Sequence, residues 1–122
     1  MKTVRTLLAT CFLCFAVTST FSQTMTAGEL QEICIAPDPG SKMACKFYIL
    51  GITQGIDLGI GIAAGKVNGK PPCVPENTSS TALELAVKIK MGQNLMVFPD
   101  DRKLDASGLV AAILIKTFPC RK

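Results

Sequence analysis

Lys42 to Ala64 reads KMACKFYILGITQGIDLGIGIAA, and its periodicity decides the fold class. Cys45, Ile49, Ile52, Ile56, Ile60 and Ala63 recur at three- and four-residue steps, while Lys42, Lys46, Thr53, Gln54 and Asp57 gather on another face. That is an amphipathic helix burying one stripe rather than a membrane span. Gly51, Gly55 and Gly59 lie at four-residue spacing along it, with Gly61 and Gly65 nearby. Each glycine costs about 1 kcal/mol relative to alanine inside a helix. The sequence therefore predicts close approach of another helix along that flat stripe, with a break near Gly59 as the alternative. A phosphate-binding loop would need its glycines at a strand-to-helix turn.

Working outward, the flanks are helical too. Thr26-Ala27-Gly28-Glu29 is a capping box, opening a helix from Ala27 to Cys34 with Leu30, Ile33 and Cys34 inward. Ser41 is positioned to cap the long helix. Thr81 and Glu84 form a second capping box, followed by Leu83, Val87, Met91, Leu95 and Phe98 on one stripe, with Glu84 and Lys88 paired outside. Pro99-Asp100-Asp101-Arg102 turns the chain. A last helix runs from about Asp105 to Thr117, with Leu109, Val110, Ile113 and Leu114 inward, until Pro119 stops it. No useful β-alternation appears. The reading is all-α, four helices with room for a fifth.

Met1 to Ser22 does not read as fold. Lys2 and Arg5 precede the apolar run Leu7–Val17, and small residues Thr20 and Ser22 occupy the −3 and −1 positions of a cut before Gln23. Eleven apolar residues are too few to span a bilayer, which takes about 20. The expectation is a cleaved signal peptide, 1–22, ahead of a single domain, 23–122. The whole chain carries 13 Lys and Arg against 9 Asp and Glu, for +4; without the signal the basic count falls to eleven and the charge to +2. That balance does not draw a protein strongly onto nucleic acid or an anionic membrane.

Cys11 and Cys14 leave with the signal, so the chain's C-x-x-C is not a redox motif. Cys34, Cys45, Cys73 and Cys120 remain, an even number in an exported chain of this size, which reads as two disulfides. A zinc site wants its cysteines in close pairs, and these are widely spaced. Of three possible connectivities, the turn-forming residues between Cys34 and Cys45 favour a bridge across a helical hairpin, worth about 3 kcal/mol of unfolded-state entropy. Cys73–Cys120 then ties the loop before the third helix to the chain's end, for about 4 kcal/mol in the same treatment.

Catalytic chemistry is poorly served. The absence of His removes imidazole-activated nucleophiles, His-ligated metals and the usual pH switch. Tyr48 and six Phe, with no Trp, leave little surface for stacking on bases. Asp100, Asp101 and Asp105 lack the spacing of a calcium loop, and Arg102 and Lys103 oppose a cation. Ser79-Ser80-Thr81 offers hydroxyls without a base and reads as helix-start chemistry. No cofactor is implied.

A set of ordered anchors does carry a resemblance. Cys34 ends a short helix; Cys45-Lys46-Phe47-Tyr48-Ile49-Leu50-Gly51 opens the next; Cys73-Val74-Pro75 precedes a capped third helix. Leu95-Met96-Val97-Phe98-Pro99-Asp100 marks a turn, and Leu109-Val110 with Phe118-Pro119-Cys120 closes the chain. In this order they resemble the Rap/Tai-type immunity proteins of bacterial type VI secretion, over about Gly28 to Cys120. Thr81-Ala82 and Phe98 depart from the residues usual in that family. The resemblance implies a small periplasmic helical protein, often dimeric, that neutralises a cell-wall amidase by occupying its cleft without catalysing anything.

The expected function is accordingly a non-enzymatic periplasmic inhibitor of an amidase effector, with a homodimer possible and no stable membrane association after signal cleavage. Rival readings are a helical stress holdase and a carrier of apolar ligands. The long loop, doubly basic and stiffened by Pro71, Pro72 and Pro75, is the first candidate contact, through Lys66, Asn68, Lys70, Glu76 and Asn77. The Pro99–Lys103 turn, through Asp100 and Arg102, is the second. Asn77-Thr78-Ser79 is also a glycosylation sequon, relevant in a eukaryotic secretory route.

Overall fold

The capping box of the first helix forms as read. In a computed structural model of the protein, which describes residues 24–63 and 72–120 and the side chains of 24–56 and 72–120, α1 spans Ala27–Ile35. The Glu29 amide donates to the Thr26 hydroxyl at 3.3 Å, and the Thr26 amide donates to the Glu29 carboxylate at 2.7 Å. These contacts satisfy amides that a helix start otherwise leaves unpaired. Ala27, Gly28, Leu30 and Cys34 are buried.

The second helix starts earlier than expected. α2 spans Pro39–Ala63, and Asp38 rather than Ser41 holds its start: the Asp38 carboxylate accepts the Ser41 amide at 2.8 Å. Proline suits the first helical position because its missing N–H needs no partner there. Cys45, Ile49 and Thr53 form the buried stripe, with Ile52 and Ile56 packed against its edge. Thr53, read from sequence as polar-face, is only 8% exposed; its hydroxyl donates to the Ile49 carbonyl at 2.9 Å, which removes the cost of burying it. Among the described residues the predicted packing on the glycine stripe is not found at Gly51 or Gly55. A β-carbon at either would meet nothing within 4 Å. The surroundings of Asp57, Gly59, Ile60, Gly61 and Ala63, and all of Gly65, lie outside what is described.

α3 spans Ser80–Val97 and corrects a second cap. Ser79, not Thr81, is the N-cap, accepting the Ala82 amide at 3.1 Å. Glu84 consequently sits too far along the helix to reach back, and pairs with Lys88 at 3.8 Å. Leu83, Val87, Met91 and Leu95 are buried as the stripe predicted. Phe98 is not: Pro99 disfavours helical geometry at the residue before it, so Phe98 becomes the C-cap and points outward, 57% exposed.

A short 3-10 turn, η1 (Pro99–Lys103), leads to α4 (Ala106–Thr117). The Asp105 carboxylate caps α4, accepting the Gly108 amide at 3.0 Å and the Ser107 hydroxyl. Ala106, Val110, Ile113 and Leu114 are buried, with Leu109 partly so. α1 packs on α2, α3 and α4, and α2 also meets α3 and α4. The helices thus share one core, around Leu30, Ile49, Met91 and Leu114. Each such side chain contributes about 1.5–3 kcal/mol when fully buried. Among the described residues there are four α-helices and no strand.

Both disulfides have the favoured connectivity. Cys34–Cys45 joins α1 to α2 with Cα atoms 5.0 Å apart, both residues buried. Cys73–Cys120 joins the chain ahead of α3 to the residues after α4, 4.9 Å between Cα atoms. Beside it the Cys73 amide donates to the Phe118 carbonyl at 2.8 Å.

Candidate partner-binding surface

The five-residue turn η1 is held from three sides. Its C-terminal side is tied by backbone: the Ala27 amide donates to the Leu104 carbonyl at 2.8 Å, and the Ala106 amide to the Met25 carbonyl at 2.9 Å. The side-chain amide of Asn94, on α3, donates to the Asp101 carboxylate at 2.8 Å. On α1, Gly28 lets the turn come in close, since a β-carbon there would lie 3.2 Å from the Arg102 carbonyl oxygen and 3.3 Å from its Cβ. Glycine is used here for backbone approach.

Two of the residues chosen from sequence, Asp100 and Arg102, lie in this turn. Arg102 lies along the surface against α1: its guanidinium donates to Gln31 Oε1 at 2.6 Å and lies 3.4 Å from a Glu32 carboxylate oxygen, still largely exposed. Asp100 does face solvent, with Lys103 at 3.7 Å, a pair that contributes little in open water. Glu76 and Asn77 form an exposed turn ahead of α3, closed by the Thr78 amide on the Pro75 carbonyl at 2.9 Å. Lys66, Asn68 and Lys70 lie outside the described residues. Asp100 and Arg102 therefore share one turn but divide the work, one outward and one as a brace.

Sequence reasoning missed the apolar character of this end. Met96 is 81% exposed, and Val97, Phe98 and Leu104 are exposed as well. The signal was present in Leu95-Met96-Val97-Phe98. Four consecutive apolar residues cannot all face one core when a helix turns 100° per residue, and Leu95 takes the inward place. Val97 and Phe98 also line a groove of about 500 Å³ between α3 and α4, floored by Ile113 and flanked by Lys90 and Lys116, with no carboxylate in its lining. The surface is apolar at its centre and positive at its edge.

Tyr48 is partly buried against the core, and burial, then the Asp105 charge, raises its phenol above the ordinary value of 10, so it stays protonated. Among the described residues no cluster of three Cys, Asp or Glu side chains is placed to hold a metal ion.

The sequence profile of the Rap1a immunity proteins matches residues 26–120, the same stretch that builds the core, both bridges and the braced turn. The chain belongs to the Rap1a immunity protein family. No curated protein and no solved structure matches it. Membership of the Rap1a immunity family makes a toxin the relevant class of partner.

Proposed function

We propose that the protein is a periplasmic, non-enzymatic immunity protein that binds a type VI secreted peptidoglycan amidase and occludes its cleft. Export by a signal peptide cleaved before Gln23 belongs to this reading. Family membership supports the toxin partner, and the paired cysteines suit an oxidising compartment. Among the described residues no helix is long and apolar enough to cross a membrane.

The observation that carries the reading is the rigid turn η1 with exposed apolar side chains beside it. Occlusion needs a projecting element whose ordering cost is met before the partner arrives. Arg102, Asn94 and Gly28 meet that need, because they fix the turn in the free protein. Met96 and Phe98 then serve as anchors, the class of residue that dominates interface energetics when desolvated at the centre of a contact. Lys90 and Lys116 border the groove, and Lys66 and Lys70 belong to the stretch that the sequence reads as a long loop. They complement an acidic cleft rim and speed encounter.

The test uses a purified type VI amidase from the same cell, titrated with the mature protein while peptidoglycan hydrolysis is followed. Stoichiometric inhibition is expected. Met96→Ser with Phe98→Ser weakens binding about 30-fold or more, the scale of losing about 2 kcal/mol at a hot spot. Because both side chains are exposed, stability changes by only about 0.5 kcal/mol. Charge reversal at Lys66 and Lys70 slows association and reduces its salt dependence. Binding unaffected by the Met96/Phe98 pair moves the interface away from η1. If no amidase binds the wild-type protein, the immunity mechanism proposed here fails.

A further inference from the structure

α2 and α3 bound a second groove, of about 510 Å³, that shares no lining residue with the one between α3 and α4. η1 packs on α1 and α3 but not on α2, so the two surfaces are separate. Lys42 and Lys46 stand one helical turn apart on α2, and Met43 and Phe47 repeat the same step beside them. Met43 is 60% and Phe47 63% exposed, two large apolar side chains side by side in one groove. On α3, Glu84 and Lys88 neutralise each other at 3.8 Å. Among the described residues Lys42 and Lys46 have no carboxylate within ion-pair distance. The groove is therefore apolar inside, with two uncompensated cations spaced by one turn.

We infer that this groove docks an acidic amphipathic helix of a partner protein, with carboxylates one turn apart on either side of a large apolar side chain. Helical carboxylates at four-residue spacing match the Lys42–Lys46 repeat, since both follow the same 5.4 Å pitch, and the apolar side chain meets Met43 and Phe47. This is helix-in-groove recognition with electrostatic selection of the partner. A second copy of the chain fits poorly, because a two-fold contact sets the same patch on both sides, and three lysines against one carboxylate in each lining leave two positive faces opposed. An anionic membrane fits poorly as well. Its flat surface would meet the rim of a concavity whose wall includes the Glu84 carboxylate, and the chain without its signal carries only +2, from eleven basic and nine acidic residues. The inference does not depend on the amidase: loss of toxin binding at η1 leaves it standing.

The test is an NMR titration of the disulfide-bonded mature protein, labelled with ¹⁵N. The probe is a synthetic helical peptide with glutamates at four-residue spacing around one leucine; its Glu→Gln counterpart and phosphatidylglycerol vesicles form the other arms. Saturable shifts confined to residues 42–47 and 84–88 are expected. Lys42→Glu with Lys46→Glu, the Gln peptide, and a rise from about 50 to about 500 mM salt each weaken binding about tenfold or more. Phe47→Ser weakens it at unchanged charge. Lys90→Glu with Lys116→Glu leaves it as in wild type. These are surface positions; where circular dichroism shows that the double Glu variant has lost helicity, Lys42→Gln with Lys46→Gln takes its place. No shift at this face, shifts centred on the α3–α4 groove, equal binding by the charge-reversed protein, or binding of vesicles but not peptide would each overturn the inference.

Discussion

Replacing Gly51 and Gly55 by alanine stabilises the protein. Both lie inside α2, and both are exposed. An added β-carbon meets nothing within 4 Å at either position, so the methyl group brings no steric cost. What changes is the backbone entropy of the unfolded chain, which glycine enlarges and alanine restricts. The expected gain is about 0.5–1 kcal/mol per site, or about 1–2 kcal/mol for the pair. For a domain of this size about 1 kcal/mol raises Tm by roughly 4–8 °C. Urea unfolding of the oxidised protein, followed by circular dichroism at 222 nm, reads the change as a higher midpoint at unchanged slope. The refuting result is loss of stability in the double variant, especially one that deepens with protein concentration. It would mean that the glycine face is covered in solution, as the four-residue spacing suggested, and a concentration-dependent loss would assign the cover to a second chain.

Arg102→Ala removes the side-chain brace of η1. The pair with Glu32 is solvent-exposed, so stability falls by only about 0.2–1 kcal/mol, while hydrogen exchange accelerates at residues 99–104; unchanged exchange there would show that the backbone ties suffice. Reduction by graded dithiothreitol opens Cys73–Cys120, whose Cys73 is exposed, before the buried Cys34–Cys45, and peptide mapping reads the order; loss of Cys34–Cys45 through paired alanines costs about 3 kcal/mol. The helix-start carboxylates set an acid limit. Glu29 lies below its ordinary 4.5, held first by the Thr26 amide and then by its hydroxyl; Asp38 and Asp105 lie below 3.8, held first by the hydroxyls of Ser41 and Ser107. Because their folded values are lowered, their contribution is complete above the ordinary values and drains away as pH falls through the folded ones. Thermal melts are therefore flat from neutral pH to about 5 and decline below about 4.5. Replacing Asp105 with Asn, which keeps an acceptor but no charge, shallows that decline.

The parts legible in the sequence were those set by short-range chemistry. Thr26 and Glu29 are three residues apart, so their capping box needs no tertiary information. The stripe Leu83, Val87, Met91, Leu95 follows from helical pitch alone. A ten-residue gap with proline and glycine was enough to favour Cys34–Cys45. Errors at this level were local competitions between neighbours: Asp38 against Ser41, Ser79 against Thr81. In each, the cap two or three residues upstream prevailed.

What only the tertiary structure decided is which surfaces are left over. Glycines at four-residue spacing announce a flat face, but whether a helix lies on it depends on where the other three helices pack, and at Gly51 and Gly55 none does. Arg102 looked like a free surface charge until α1 placed Gln31 and Glu32 beside it, 71 and 70 residues away along the chain. Phe98 belonged to the core by spacing and to the surface by geometry, because Pro99 ended the helix one residue too soon. Periodicity and capping are properties of a few adjacent residues, and the sequence states them directly. Exposure is a property of the whole packed chain, and a binding surface consists of what that packing leaves uncovered.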